Sequence, residues 1–199
     1  MAKVSAKVSR VRGQGVGCEC FVADWLVLSV GPLSPFRSSS SAATYDRDPE
    51  AGAVALIAAI RDRCSKLGLA DSMVPTAISV VWTDAAEAAV KQRKLGRLDD
   101  ARATAARLVA LARRLVREYP DSALSYRVLS EAYNQIKKNA LQTGDDHLVE
   151  KALVQPVKAA QRALALDPDR LETRNHLDKL TEQLASIKAE RNAKGSALP

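Results

Sequence analysis

Apolar residues recur at steps of three and four over most of the chain, and each such run predicts a helix with one buried side. The clearest lies within residues 96–120, where Ala101, Ala105, Leu108, Ala112, Leu115 and Tyr119 share one face. Alanine supplies half of that stripe, so a neighbouring helix can approach closely. Upstream, Val54, Ile57, Ile60, Cys64 and Leu67 predict a helix over 53–67 that Gly68 stops. Asp71 and Ser72 are the expected caps of the next helix, which runs to Leu95 with Pro75 near its start and Ile78, Trp82, Ala85 and Ala89 on its apolar side.

Downstream, Pro120 breaks the chain and Asp121 or Ser122 caps a new start. Tyr126, Leu129, Tyr133, Ile136 and Ala140 then predict the buried face of a fourth helix, closed by a turn over 143–146. The pattern resumes over 148–166, where Pro156 removes a backbone donor and is expected to kink or split the segment. Asp167-Pro168 reads as a helix start with proline in the first turn. Leu177, Leu180, Leu184 and Ile187 line a last helix that frays into a polar tail from Lys194.

Residues 1–50 follow a different pattern. Val4, Val8 and Val11 alternate imperfectly with polar residues, a glycine cluster follows at 13–17, and 21–30 could make one strand. Four serines at 38–41 look like a linker. Two or three short strands cannot close a core alone. The expected organisation is a largely disordered or vestigial segment over 1–50, a leading helix and connection over 51–80, a helical domain over 81–190 and a disordered tail over 191–199.

Composition supports the helical reading. Hydrophobic residues make up 47% of the 199 residues but aromatics only 4%, which favours close-packed Ala/Leu helices over a sandwich or barrel. Three cysteines, an odd number, argue against a disulfide framework and for a reducing, cytoplasmic setting. The two histidines, His147 and His176, lie far from Cys18 and Cys20, so no metal site and no cofactor are expected. The apolar run at 21–33 follows a basic start, yet Asp24 interrupts it and it falls short of the roughly 20 residues a bilayer span needs. A soluble protein without membrane contact is the expectation.

Chemistry-bearing patterns are few. Residues 15–30, GVGCECFVADWLVLSV, resemble the early strand pair of trypsin-like serine proteases, but Pro32 stands where that family has its catalytic histidine. No Gly-Asp-Ser-Gly segment follows either, so neither base nor nucleophile is supplied. The glycines at 13 and 15 lack the third glycine and the following helix of a dinucleotide loop. Asp99-Asp100 and Asp145-Asp146 sit at expected helix starts, where acids favour the positive end of the helix dipole. No catalysis is expected.

The net charge is +7, and the basic residues cluster. Arg102, Arg107, Arg113, Arg114 and Arg117, with Lys91, Arg93, Lys94 and Arg97, could be a solvated face, meet an acidic protein or peptide, or face phosphates. No aromatic residues interleave with them, which weighs against nucleic acid.

One resemblance covers more of the chain. Leu95-Gly96-Arg97-Leu98-Asp99-Asp100-Ala101 resembles the hairpin turn of the tetratricopeptide repeat, with a glycine at the turn and a small residue five positions on. Tyr126, Leu129, Ser130 and Tyr133 fit the aromatic, leucine, small and aromatic positions of a first helix in that family, and Ala163, Leu166, Asp167 and Pro168 the end of a second. The resemblance implies an all-α fold of antiparallel helix hairpins stacked as a short solenoid. It implies a non-catalytic scaffold that binds a partner protein or peptide, with Gly96, Ala101, Ala105, Leu108, Leu129, Ala163 and Pro168 as packing positions. The helix over 96–119 is longer than the repeat's, so its end is expected to project beyond its partner. Arg107, Arg113, Arg114, Arg117, Tyr126 and Tyr133 are the candidate partner-binding residues. Two units are fewer than the three or more that stacking usually needs, so a homodimer or a longer array is expected.

Overall fold

The computed structural model describes residues 48–143 and 146–196. The strand, glycine-turn and protease-like readings at 1–47 lie outside the described residues. Among those described, every regular element is helical: α1 (Pro49–Lys66), a 3-10 turn (Asp71–Met73), α2 (Val74–Lys94), α3 (Leu98–Glu118), α4 (Ala123–Thr143), α5 (Asp146–Leu166) and α6 (Leu171–Ser196).

Local chemistry sets the ends of these helices. Asp48 accepts from the backbone N–H of Glu50 at 3.0 Å and of Ala51 at 3.1 Å, so α1 begins there with Pro49 in its first turn. Both α1 and α2 stop in the same way. Gly68 and Gly96 take φ of 71° and 73°, and the next N–H reaches back to a carbonyl of the last turn, Leu69 to Cys64 and Arg97 to Gln92, each at 2.9 Å. These are Schellman closures, which need a left-handed residue at that point. The glycine stops expected at both positions are therefore present.

Successive helices pack on one another, and two further contacts tie them into one body: α1 lies on α3, and α2 lies on α4. Helices α1 to α4 share a core in which Ile57, Ile60, Ile78, Leu108, Leu111 and Leu115 are fully buried. Ala101, Ala105 and Ala112 are buried on α3, as their stripe requires. A second cluster, built on Ala140, Val149, Leu153, Ala160 and Leu180, fastens α4, α5 and α6.

Several local expectations are corrected. Asp71 does not cap α2; its carboxylate instead accepts from Arg61 Nε at 3.1 Å and the Tyr119 hydroxyl at 3.0 Å. Pro156 does not split its segment, because α5 runs unbroken through it, with the ring buried and the Pro156 carbonyl accepting from Ser130 of α4. Pro168 lies in the turn before α6, which starts only at Leu171. The last helix continues to Ser196, past the expected start of fraying at Lys194. Finally, α2 and α3 both span 21 residues, so α3 does not outrun its hairpin partner.

The largest correction concerns α4. Its tyrosine and leucine face, Tyr126, Leu129, Tyr133 and Ile136, is only half-buried, whereas Ser125, Val128, Ala132, Gln135 and Asn139 are buried on another side, and Ser130, Asn134 and Lys137 on a third. The helix is enclosed by α2, α3 and α5 and is bonded to α6, so one apolar stripe cannot serve all its neighbours.

Candidate functional site

Residues of α2, α4 and α6 line a cleft of about 360 Å³, with Ala160 of α5 also in its lining. Trp82, Leu124 and Val128 supply apolar surface, while Thr83, Arg127, Glu131, Glu172 and His176 supply polar groups. Volumes of this order hold a small molecule or a peptide side chain. Arg127 Nη2 reaches Glu172 Oε2 at 3.2 Å, bridging α4 to α6. Burial, followed by the nearby Arg170, holds the Arg127 guanidinium below its ordinary pKa, although Glu172, Glu131 and Asp167 oppose this.

In the same cleft α4 and α6 meet at one imidazole. His176 Nδ1 lies 3.3 Å from Glu131 Oε1, and its Nε2 lies 3.0 Å from Ser130 Oγ. Ser130 Oγ in turn donates to the Pro156 carbonyl at 2.9 Å. The order carboxylate, imidazole, hydroxyl has the layout of an acyl-transfer triad. Two features work against nucleophilic use: Ser130 is 0% exposed, and its hydroxyl lies within reach of a backbone carbonyl that competes with the imidazole for its proton. The cluster fastens α6 to the α4–α5 hairpin.

Among the described residues two buried cations, Arg93 and Lys137, are bonded to side-chain amide oxygens. Arg93 donates to Gln135 Oε1 at 2.8 Å and Asn139 Oδ1 at 3.1 Å, and Asn139 passes the interaction on to the Ala101 carbonyl at 3.2 Å. Lys137 donates to Gln183 Oε1 of α6 at 2.7 Å. Burial lowers the pKa of both cations. These bonds tie α2 to α4 and α4 to α6 through neutral amide oxygens.

The sequence-predicted residues lie elsewhere. Arg113 donates to the Tyr133 hydroxyl at 2.9 Å and sits 5.5 Å over its ring. Arg114 donates to Glu118 at 2.5 Å, Arg117 to Glu50 of α1 at 2.5 Å, and Arg61 bonds both Glu118 and Tyr119. Burial works to raise the Glu118 carboxyl, but the bonds from Arg61 and Arg114 outweigh it and hold its pKa below the ordinary value. The arginine-rich end of α3 is thus the seam on which α1 docks. Tyr126 lies under Arg162 of α5, and Arg107 is half-buried on α3. None of Arg107, Arg113, Arg114, Arg117, Tyr126 and Tyr133 lines the cleft.

Among the packing positions, Gly96 makes the α2–α3 turn, Ala101, Ala105, Leu108 and Ala163 are buried, and Leu129 packs half-buried against the main core. Pro168 is exposed and its carbonyl accepts from Arg174 at 2.9 Å. Sequence reasoning missed Trp82, Arg127, Glu131 and His176 as a group. Their signal is faint: His176 continues the Leu177, Leu180, Leu184 stripe, and Ser130 interrupts the apolar pattern of α4.

Among the described residues no group of three or more His, Cys, Asp or Glu is placed to hold a metal ion. No described helix is long and apolar enough to cross a membrane. No protein-family model, curated protein or solved structure matches the chain.

Proposed function

We propose that the chain is a non-catalytic protein–protein interaction module, a short tetratricopeptide-like stack of hairpins that works in the cytoplasm without a cofactor and holds a partner protein or peptide in the α2–α4–α6 cleft. The cleft carries this reading. It is lined by the first helices of the α2–α3 and α4–α5 hairpins together with α6, and its mix of Trp82, Leu124 and Val128 with Arg127 and Glu172 suits an apolar side chain on a polar backbone. The nucleic-acid alternative has less support, since Arg113, Arg114 and Arg117 are bonded to side chains of the chain itself.

A photo-crosslinking residue at the exposed Thr83, on the cleft, is compared with one at Asp178, which lies on the outer side of α6. The expected outcome is a discrete protein adduct from position 83 alone, unchanged by nuclease and abolished by Leu124→Glu. Equal labelling from both positions, or loss on nuclease treatment, would sink the reading.

A further inference from the structure

Three hydroxyls in the cleft lining, those of Ser79, Thr83 and Ser130, donate within the chain: to the Thr76 carbonyl at 2.7 Å, the Ser79 carbonyl at 2.9 Å and the Pro156 carbonyl at 2.9 Å. Two other donors in the same lining do not. Trp82 Nε1 and Thr173 Oγ1 are buried without a hydrogen-bond partner, on residues that are 8% and 2% exposed. A buried donor left unpaired carries the full cost of its desolvation. Among the described residues Arg63, Ser125 and Asn134 also hold an unpaired buried atom, but none of these three lines the cleft. Two orphaned donors, brought to one cleft by α2 and α6, call for a ligand that accepts from them.

The charges in the lining decide what kind of acceptor fits. Arg127 stands against Glu131 and Glu172, so, His176 aside, the cleft holds one more acidic side chain than basic ones. A further carboxylate would add repulsion, whereas a neutral carbonyl oxygen would not. Leu124, Val128 and Ala160 supply apolar surface in the same cleft. A peptide offers both features at every aliphatic residue, a neutral backbone carbonyl beside a hydrocarbon side chain.

We propose that Trp82 and Thr173 are the specificity-determining donors of this cleft, and that they bind neutral carbonyl oxygens of a peptide segment whose aliphatic side chain packs on Leu124 and Val128. The peptide nature of the ligand rests on the reading of the cleft as the partner site. Both atoms are covered in the free cleft, so the segment enters as side chains shift, a common step in binding. The hydrogen bonds it brings offset that disturbance. Unfilled donors weaken the free chain, so these residues trade stability for binding. Thr173→Val keeps the shape of the side chain and removes only the hydroxyl, which takes an unpaired group out of the fold and a contact out of the complex. A hydroxyl with a purely structural role would lose stability on the same exchange.

The test uses the full chain with Trp25→Phe, which leaves Trp82 as the single tryptophan, and N-acetylleucine methylamide as the probe. The indole N–H resonance of Trp82 should move downfield and saturate as the amide is added, and Leu124→Glu should abolish the movement. N-acetylleucine, which ends in a carboxylate, should bind more weakly at neutral pH. Thr173→Val should raise the urea midpoint of unfolding and weaken amide binding by about two- to tenfold, the loss of one neutral hydrogen bond. An indole resonance that ignores the amide, a midpoint that falls in Thr173→Val, or an acid bound as tightly as the amide overturns the assignment. An unresponsive indole with a partner still captured at Thr83 would remove the two donors and leave the cleft as the partner site. A responsive indole with no captured partner would keep the donors and remove the protein ligand. The resonance is read on the native cleft residues, so the test decides even if a variant does not fold.

Discussion

Gly96 turns the chain between α2 and α3 at φ 73°, and a Cβ added there would meet nothing within 4 Å. Alanine would therefore cost backbone strain alone, about 1 kcal/mol for a left-handed residue. Urea denaturation of Gly96→Ala is expected to show that loss with an unchanged dependence on denaturant; no loss would mean that another conformation serves the turn. Ala101 is limited by space rather than by backbone. It is 0% exposed, and its carbonyl accepts from Asn139 of α4. Ala101→Leu should overpack the hairpin crossing by about 1–3 kcal/mol. Both positions were readable beforehand, since a glycine stop and a small residue at a crossing have few substitutes. His176 was not readable: a lone histidine at helical spacing gains its meaning only when Ser130 and Glu131 arrive from another helix.

At the scale of elements, the unexpected result is what the arginine-rich end of α3 does. Glu118 is its hub, taking Arg61 from α1 and Arg114 from its own helix, while Arg117 reaches Glu50. Exposed ion pairs stabilise little, but the Glu118 side chain is only 16% exposed, so its loss should be felt. Glu118→Gln is expected to loosen α1 by about 1–2 kcal/mol at neutral pH. Because the folded carboxyl titrates below its ordinary value, this stability is present above the ordinary value and lost as pH falls below it through the folded pKa. The unsubstituted protein should therefore lose stability on the acid side more steeply than Glu118→Gln, measured as unfolding free energy against pH. Equal slopes would remove Glu118 as the hub. Helical periodicity located all six helices because each must bury an apolar side. It could not rank their neighbours. For α4 that ranking matters most, since a helix enclosed by three others and bonded to a fourth buries Ser125, Gln135 and Asn139 where the pattern pointed to tyrosines.

For the molecule as a whole, the two ends of the helix series differ in surface chemistry. The outer side of α6 exposes Asp178, Lys179, Glu182 and Ser186, polar groups that suit an end facing water. The outer side of α1 exposes Ala51, Val54, Ala55, Ala58 and Ala59. Two hairpins are fewer than the three or more units that usually close a stack, so the proposed module is expected to pair with a second copy, and small apolar residues on α1 allow close helix contact. The position is informative because Ala58 is exposed: a charge there costs the fold little and an α1–α1 interface much. Sedimentation velocity of the full chain should show a concentration-dependent dimer that Ala58→Glu converts to a monomer with unchanged helicity. Asp178→Ala, at the other end, should leave the dimer intact. A wild-type chain that stays monomeric as its concentration rises would mean that the α1 end needs no second copy.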